Sequence, residues 1–293
     1  MKRGAVLFII LTLLAGLLGG CGTAVAREYE DWTLTLSGDG IEGELVYTLG
    51  ELAREEGMVY EAVYSTINNW PNPGSYAGQG LLVANILEKA GVLDTAQTVT
   101  FMSEDGYKAG FTREQLLDTP QYCYANPGVD GNGAVRVYPI IAFNWQQGGT
   151  SLDQLSADAP CLIVGQSDYL QHNNPVFVEG VSRILVSDTA ERWDPPYIWP
   201  EDGRVQPGDS VKLQHDFYSM VKIHYTLDGS QPTVYSPMYN PSTYQPELNR
   251  PIQLGGTGGE AEGASLVIKA FVTGYGRLDS QVAEFPISVS REE

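Results

Sequence analysis

The stretch Val59 to Phe111, VYEAVYSTINNWPNPGSYAGQGLLVANILEKAGVLDTAQTVTFMSEDGYKAGF, carries the densest run of structural signals in the chain. Val59 to Tyr64 alternates apolar and polar side chains and predicts a strand. The Pro- and Asn-rich run Asn68-Asn69-Trp70-Pro71-Asn72-Pro73-Gly74 predicts a long loop after it. Leu82, Val83, Ile86, Leu87 and Ala90 then recur at the spacing of one buried helical face, and Gly91 stands where a left-handed cap would close that helix. Thr98–Ser103 and Tyr107–Phe111 predict two strands around the Asp105-Gly106 hairpin turn. Thr112 with Gln115 has the spacing of a capping box and opens another helix.

Toward the N-terminus, Thr48-Leu49-Gly50-Glu51 is a second capping box, and Trp32–Leu36 and Glu44–Tyr47 read as strands. Lys2-Arg3, the apolar run Ala5–Leu18 and Leu18-Gly19-Gly20-Cys21 resemble a bacterial lipoprotein signal. That resemblance implies a leader over 1–20, lipidation at Cys21, a tether over 21–31, and an exported protein anchored to the outer face of a bacterial cell membrane. Removing 1–20 takes away Lys2 and Arg3 and no acid, leaving 15 basic against 36 acidic residues and a charge of −21. A field of that sign repels phosphate backbones and excludes nucleic acid as a partner.

Toward the C-terminus, Asp118–Gly133 reads as a loop with its own aromatic packing, and Val135–Phe143, Ala159–Gly165 and Val176–Val186 as strands. Pro195, Pro196, Pro200 and Pro207 mark a stiff linker or strap over 189–207. The remainder, 208–293, alternates as a β domain with an Asp228-Gly229 turn, and His215 and His224 read as exposed strand residues.

Two family resemblances sit on these segments. Tyr76-Ala77-Gly78-Gln79-Gly80-Leu81-Leu82, Ile86–Val92, Val99-Thr100-Phe101, Glu104–Tyr107 and the later Asn174–Val181 and Ile184–Val186 resemble the molybdopterin-binding domain of the sulfite oxidase family, over about residues 30–188. Tyr225–Thr233, Ser236, Tyr239, Pro251-Ile252, Ile268–Ala270 and Gly274-Tyr275 resemble the C-terminal sandwich module of chitobiase and β-hexosaminidase, over about residues 204–290. Together they imply an α+β chain: a mixed α/β molybdopterin-oxidoreductase-like domain over 32–188, then a small immunoglobulin-like β-sandwich.

The first resemblance implies molybdopterin, whose metal-ligating Cys would follow the strand Val59–Tyr64. That neighbourhood reads Tyr64-Ser65-Thr66-Ile67, so the thiol is absent and a hydroxyl such as that of Ser65 stands nearby. Cys123, on its Tyr-flanked loop, is the other candidate ligand; with Cys161 it could equally form a disulfide or stay a thiol. With only His172, His215 and His224, a multi-histidine zinc site is not expected. Asn68, Trp70, Tyr76, Tyr107 and Trp145 combine aromatic faces with amides, the mixture used for uncharged polar ligands, and His172 stands on a polar loop.

The reading that follows is a lipid-anchored binding or scaffold protein with no cofactor, meeting envelope polysaccharide or another envelope protein. An exported molybdenum oxidoreductase using Cys123 or Ser65 is the alternative. Envelope carbohydrate binding through the C-terminal module is the second.

Overall fold

The computed structural model describes residues 29–70, 72–153, 155–156, 159–242, 250–254 and 265–289. Cys21, the leader and most of the tether lie outside them. The first half runs β1 (Thr33–Ser37), β2 (Leu45–Thr48), α1 (Leu49–Ala53), β3 (Val59–Ile67), β4 (Pro73–Leu82), α2 (Val83–Lys89), β5 (Thr98–Ser103) and β6 (Lys108–Thr112). It continues through β7 (Gln121–Cys123), β8 (Val135–Val137), β9 (Ile140–Gln147), β10 (Cys161–Ile163), β11 (Val178–Glu179) and β12 (Val181–Ser187).

Two five-stranded sheets organise these elements, in the orders β2-β1-β12-β5-β6 and β11-β10-β9-β4-β3. The first is antiparallel except where β1 runs parallel to β12; the second is antiparallel throughout. Their apolar faces meet in one core: Leu34, Phe101, Phe111 and Ile184 from one sheet and Leu81, Ile141, Phe143 and Leu162 from the other are all buried in it. Each such side chain contributes about 1.5–3 kcal/mol by leaving water.

The helices are short fillers at the edges of this core. Thr48 caps α1 by accepting from the Glu51 amide while the Glu51 carboxylate accepts from the Thr48 amide. Gly91 ends α2 at φ +65°, a conformation that costs any residue with a Cβ. The box at Thr112 and Gln115 also forms, but it opens only a single π-type turn over Glu114–Asp118.

The expectation of an α+β chain, with a mixed α/β cofactor domain and a small immunoglobulin-like sandwich, is therefore corrected. The described residues are mostly β, arranged in several sheets, with α-helices of only five and seven residues. Two causes are visible. A capping box marks where a helix starts and carries no information on how far it runs. Residues 73–82, expected to begin as loop, form the ten-residue β4 pairing with β3 on one side and β9 on the other. Its glycines hid the strand pattern yet serve it: β4 is bulged between Gln79 and Gly80, and a Cβ at Gly80 would lie 2.2 Å from the Ile141 carbonyl oxygen.

The second half comprises β13 (Tyr197–Trp199), β14 (Arg204–Val205), β15 (Ser210–Gln214), β16 (Val221–Thr226), β17 (Met238–Tyr239), β18 (Ile252–Gln253), β19 (Ser265–Gly274) and β20 (Ala283–Val289). Sheets β13-β15-β18 and β14-β20-β19-β16-β17 enclose a second core around Val211, Leu213, Val221, Ile223, Ile268 and Val272. The Pro-rich stretch contributes to it: β13 pairs with β15, and Trp193 and Ile198 are buried in that core. His215 and His224 are buried, not exposed as the alternation suggested. The Phe217 amide donates to His215 Nδ1 at 3.0 Å, so His215 Nε2 carries the proton and donates to the Asp194 carbonyl at 3.1 Å. His224 stacks on Phe271.

The two halves are joined by the tip of the β19–β20 connection. Tyr275 packs against the first core, edge-on to Phe111 at 5.3 Å. Gln115 grips the backbone on both sides of it, donating to the Gly274 carbonyl at 2.9 Å and accepting from the Gly276 amide at 3.0 Å. Gly276 approaches Gly110 so closely that a Cβ there would lie 3.0 Å from the Gly110 carbonyl oxygen. The side chain that makes the capping box thus also holds the second half in place.

Candidate functional site

Ser65 lies near the end of β3 and is 3 % exposed. Its hydroxyl donates to Gln166 Oε1 at 2.5 Å and accepts from the Tyr124 amide at 2.8 Å. The Gln166 amide nitrogen in turn donates to the Gln171 carbonyl at 2.7 Å. One residue further in space, Asn173 is fully buried: its Oδ1 accepts from the Ile67 amide, and its Nδ2 donates to the carbonyls of Ser65 and Val164. Buried polar groups are tolerated only when paired, and here each partner satisfies another. Gln166, Gln171 and Asn173 were not singled out from sequence. Their polar run 171–174 reads as an ordinary loop, because its partners on β3 are remote in the chain.

Cys123, at the end of β7, is a free, half-buried thiol beside Ser65. Burial pushes its pKa up, and a hydrogen bond with Ser65 only partly offsets this. Cys161 is also free and buried, its thiol pushed up further by burial and by Glu179. The alternatives left open for the pair resolve to two separate thiols.

The aromatic and amide candidates divide into two groups. Tyr76 stacks on Trp145 at 5.9 Å and meets Phe177 edge-on at 5.0 Å. Trp145 Nε1 donates to the Ala159 carbonyl, and Asn174 Nδ2 donates to the Tyr76 hydroxyl. Tyr107 donates its hydroxyl to the Pro175 carbonyl at 2.5 Å. The segment 173–177 therefore gathers Tyr76, Trp145 and Tyr107, but as packing partners whose polar atoms are already used. Asn68 and Trp70 belong to the β3–β4 connection. Asn68 Oδ1 accepts from the amides of Trp70 and Asn72, an Asx-type turn, and leaves Trp70 62 % exposed.

His172 faces the second half of the molecule. Its pKa is pushed down to about 4, first by burial and then by the charge of Lys222 on β16; its Nδ1 is buried without a partner. Lys222 is itself pushed down to about 8 by burial and donates to Asn240 Oδ1 at 3.4 Å. Asp105 and Asp228 are turn residues whose carboxylates accept from Ser103 and Tyr107 and from Ser230 respectively, and these bonds lower both pKa values.

A molybdopterin-type group requires a ligand free to meet the metal and donors free to meet the pterin and phosphate. Ser65 has both its donor and its acceptor role engaged, Cys123 is disfavoured as a thiolate, and the surrounding amides are bonded to one another. The residues at this position do not fit the group. Among the described residues, no cluster of three or more His, Cys, Asp or Glu side chains is placed to hold a metal ion.

Comparison with known proteins bears mainly on the second half. Residues 211–287 match the family described as Fn3 associated, which fits a β-sandwich module. No curated protein matches the chain. Among solved structures, the sulfane dehydrogenase SoxCD from Paracoccus pantotrophus is similar at 12 % identity and a TM-score of 0.36, over 89 % of this chain and 76 % of that one. The BSP domain of a biofilm-associated protein is similar at 9 % identity and a TM-score of 0.20, over 84 % of this chain and 33 % of that one. At these scores neither likeness defines the fold or the chemistry of this chain.

Proposed function

We propose that this protein is an exported, lipid-anchored binding or scaffold protein, with the N-terminal half as a rigid β body and the Fn3-associated module clamped to it. The observation that carries the choice of binding over redox chemistry is the closed hydrogen-bond network at Ser65, which occupies the position where the family resemblance would place a metal ligand. Exposed large aromatic side chains on both halves support it: Trp70, Tyr138, Trp199 and Tyr235 all stand open to solvent. Side chains of that kind supply binding area at low entropic cost.

Two measurements test this reading. Cell fractionation should place the chain in the membrane fraction, and Cys21→Ala should release it; unchanged fractionation of the variant contradicts the anchor. Cross-linking in intact cells should then recover envelope polymer or an envelope protein with the wild-type chain. Recovery of the chain alone counts against a binding role.

A second reading, polysaccharide binding through the C-terminal module, is favoured by β13. Tyr197 and Trp199 alternate with the buried Ile198 and project outward together. Because β13 also pairs with β15, the full chain carrying Trp199→Ala is the proper test, not a fragment starting at residue 204. Loss of retention on envelope polysaccharide by that variant supports the module as the site; retention equal to wild type removes it.

A further inference from the structure

A band of tyrosines that takes in Tyr138 and both neighbours of Cys123 crosses the first half. Tyr60 meets Tyr138 edge-on at 5.4 Å, the Arg136 guanidinium lies 5.3 Å from the Tyr138 ring and 5.7 Å from the Tyr122 ring, and Tyr122 is 6.0 Å from Tyr124, itself 6.3 Å from Tyr169. The local cause is the β7–β8 ladder. Tyr122 pairs directly with Arg136, so both project from one face, and Tyr124 and Tyr138 follow two residues along.

Arg136 is the informative member. Among the described residues Arg54, Lys89, Lys269 and Arg277 each meet a carboxylate, while Arg136, like Lys108, Arg113, Arg183, Arg204 and Lys212, does not; what distinguishes Arg136 is that it combines this with a place against two tyrosine rings. Arg136 is exposed. That arrangement leaves its N–H donors without a protein acceptor among the described residues. Arg136 and Tyr138 also line a cleft of about 40 Å³ whose walls include Leu82, Leu116, Leu117 and Pro139. A water needs about 10–15 Å³, so the cleft has room for one methyl group.

We propose that this band binds a glycan chain built from N-acetylated amino sugars, which deepens the binding reading above and rests on it. A sugar ring stacks on the exposed Tyr138 at the end of the band, an acetamido carbonyl accepts from Arg136, and the acetamido methyl enters the apolar cleft. An uncharged polymer of this kind also avoids repulsion by the acidic surface. A polyanion would gain one cation at Arg136 and meet the net negative charge everywhere else.

Titration of the purified full chain with two soluble hexamers tests the proposal: β-1,4-linked N-acetylglucosamine, and β-1,4-linked glucose, which has the same backbone without the acetamido groups. The chain should bind the first about tenfold more tightly. Arg136→Gln should abolish that preference, and Tyr138→Ala should weaken binding of the first hexamer about tenfold, with a cooperative melting transition showing that each variant is folded. Equal affinity for the two hexamers, no binding of either, or wild-type behaviour of both variants would overturn it. If envelope material is still cross-linked to the chain in those cases, the band fails while the binding function stands; loss through Trp199→Ala alone assigns the site to β13.

Discussion

Ser65 illustrates how one hydroxyl can look like chemistry in sequence and act as structure in the fold. As a lone Ser near the end of a strand it invites a ligand role; in the fold its proton is committed to Gln166 and a lone pair to the Tyr124 amide. Ser65→Ala should destabilise the chain by about 1–3 kcal/mol, because it leaves a buried amide and a buried carbonyl oxygen unmatched. Urea unfolding measures this, and a loss well below that range would mean the network is wet or slack. Tyr275 makes the opposite case. Its ring fills the first core while its hydroxyl is buried without a partner, and burial drives the pKa of that hydroxyl far up. Tyr275→Phe should be neutral or stabilising, whereas Tyr275→Ala should cost about 3–5 kcal/mol. His172 adds a pH dependence whose sign is fixed. Its ordinary pKa of 6.5 falls to about 4 in the folded chain, so as pH drops between those values the unfolded chain takes up a proton that the folded chain refuses. Stability present above pH 6.5 is therefore lost progressively toward pH 4, and buried His224, also lowered, acts in the same direction. The melting temperature should fall over this range, and less steeply in His172→Gln; equal slopes would remove His172 as the cause.

At the level of elements, what the sequence made legible is what depends on near neighbours. The Val59 strand, the α2 face with its Gly91 stop, the Asp105-Gly106 hairpin and both capping boxes are local signals, and each forms. Strand β4 was not legible. Its Pro, Gly and Ala residues lack strand propensity, and it is held as a strand by two neighbours, β3 and β9. Two short helices and a ten-residue β4 make the fold mostly β where local signals suggest α+β. Gly80→Ala should therefore be among the most damaging small substitutions in the chain, since its Cβ would strike backbone and not a flexible side chain. Its expression as aggregate or with a sharply lowered melting temperature is the expected result; wild-type stability would show that the bulge adapts. The candidate site divides along the same line. Tyr76 and Trp145 do meet, because β4 and β9 are paired, but the tyrosine band depends on Tyr60, Tyr138 and Tyr169 arriving from separate strands and loops. In the sequence only Tyr122 and Tyr124 stand near one another, as the residues flanking Cys123.

For the whole molecule, the joint at Gln115 and Tyr275 fixes one half on the other, so faces on both halves hold a set relation. A scaffold needs that property, and a flexible tether between two modules would not supply it. The joint does not bear on the proposed choice of binding over redox chemistry; the closed network at Ser65 is what supports that choice. Molybdenum analysis of the chain purified from a host that makes the cofactor tests that distinction most directly. The expected result is no molybdenum above background in wild type, Ser65→Ala and Cys123→Ser alike. Stoichiometric molybdenum in the wild type, lost in either variant, would contradict the account.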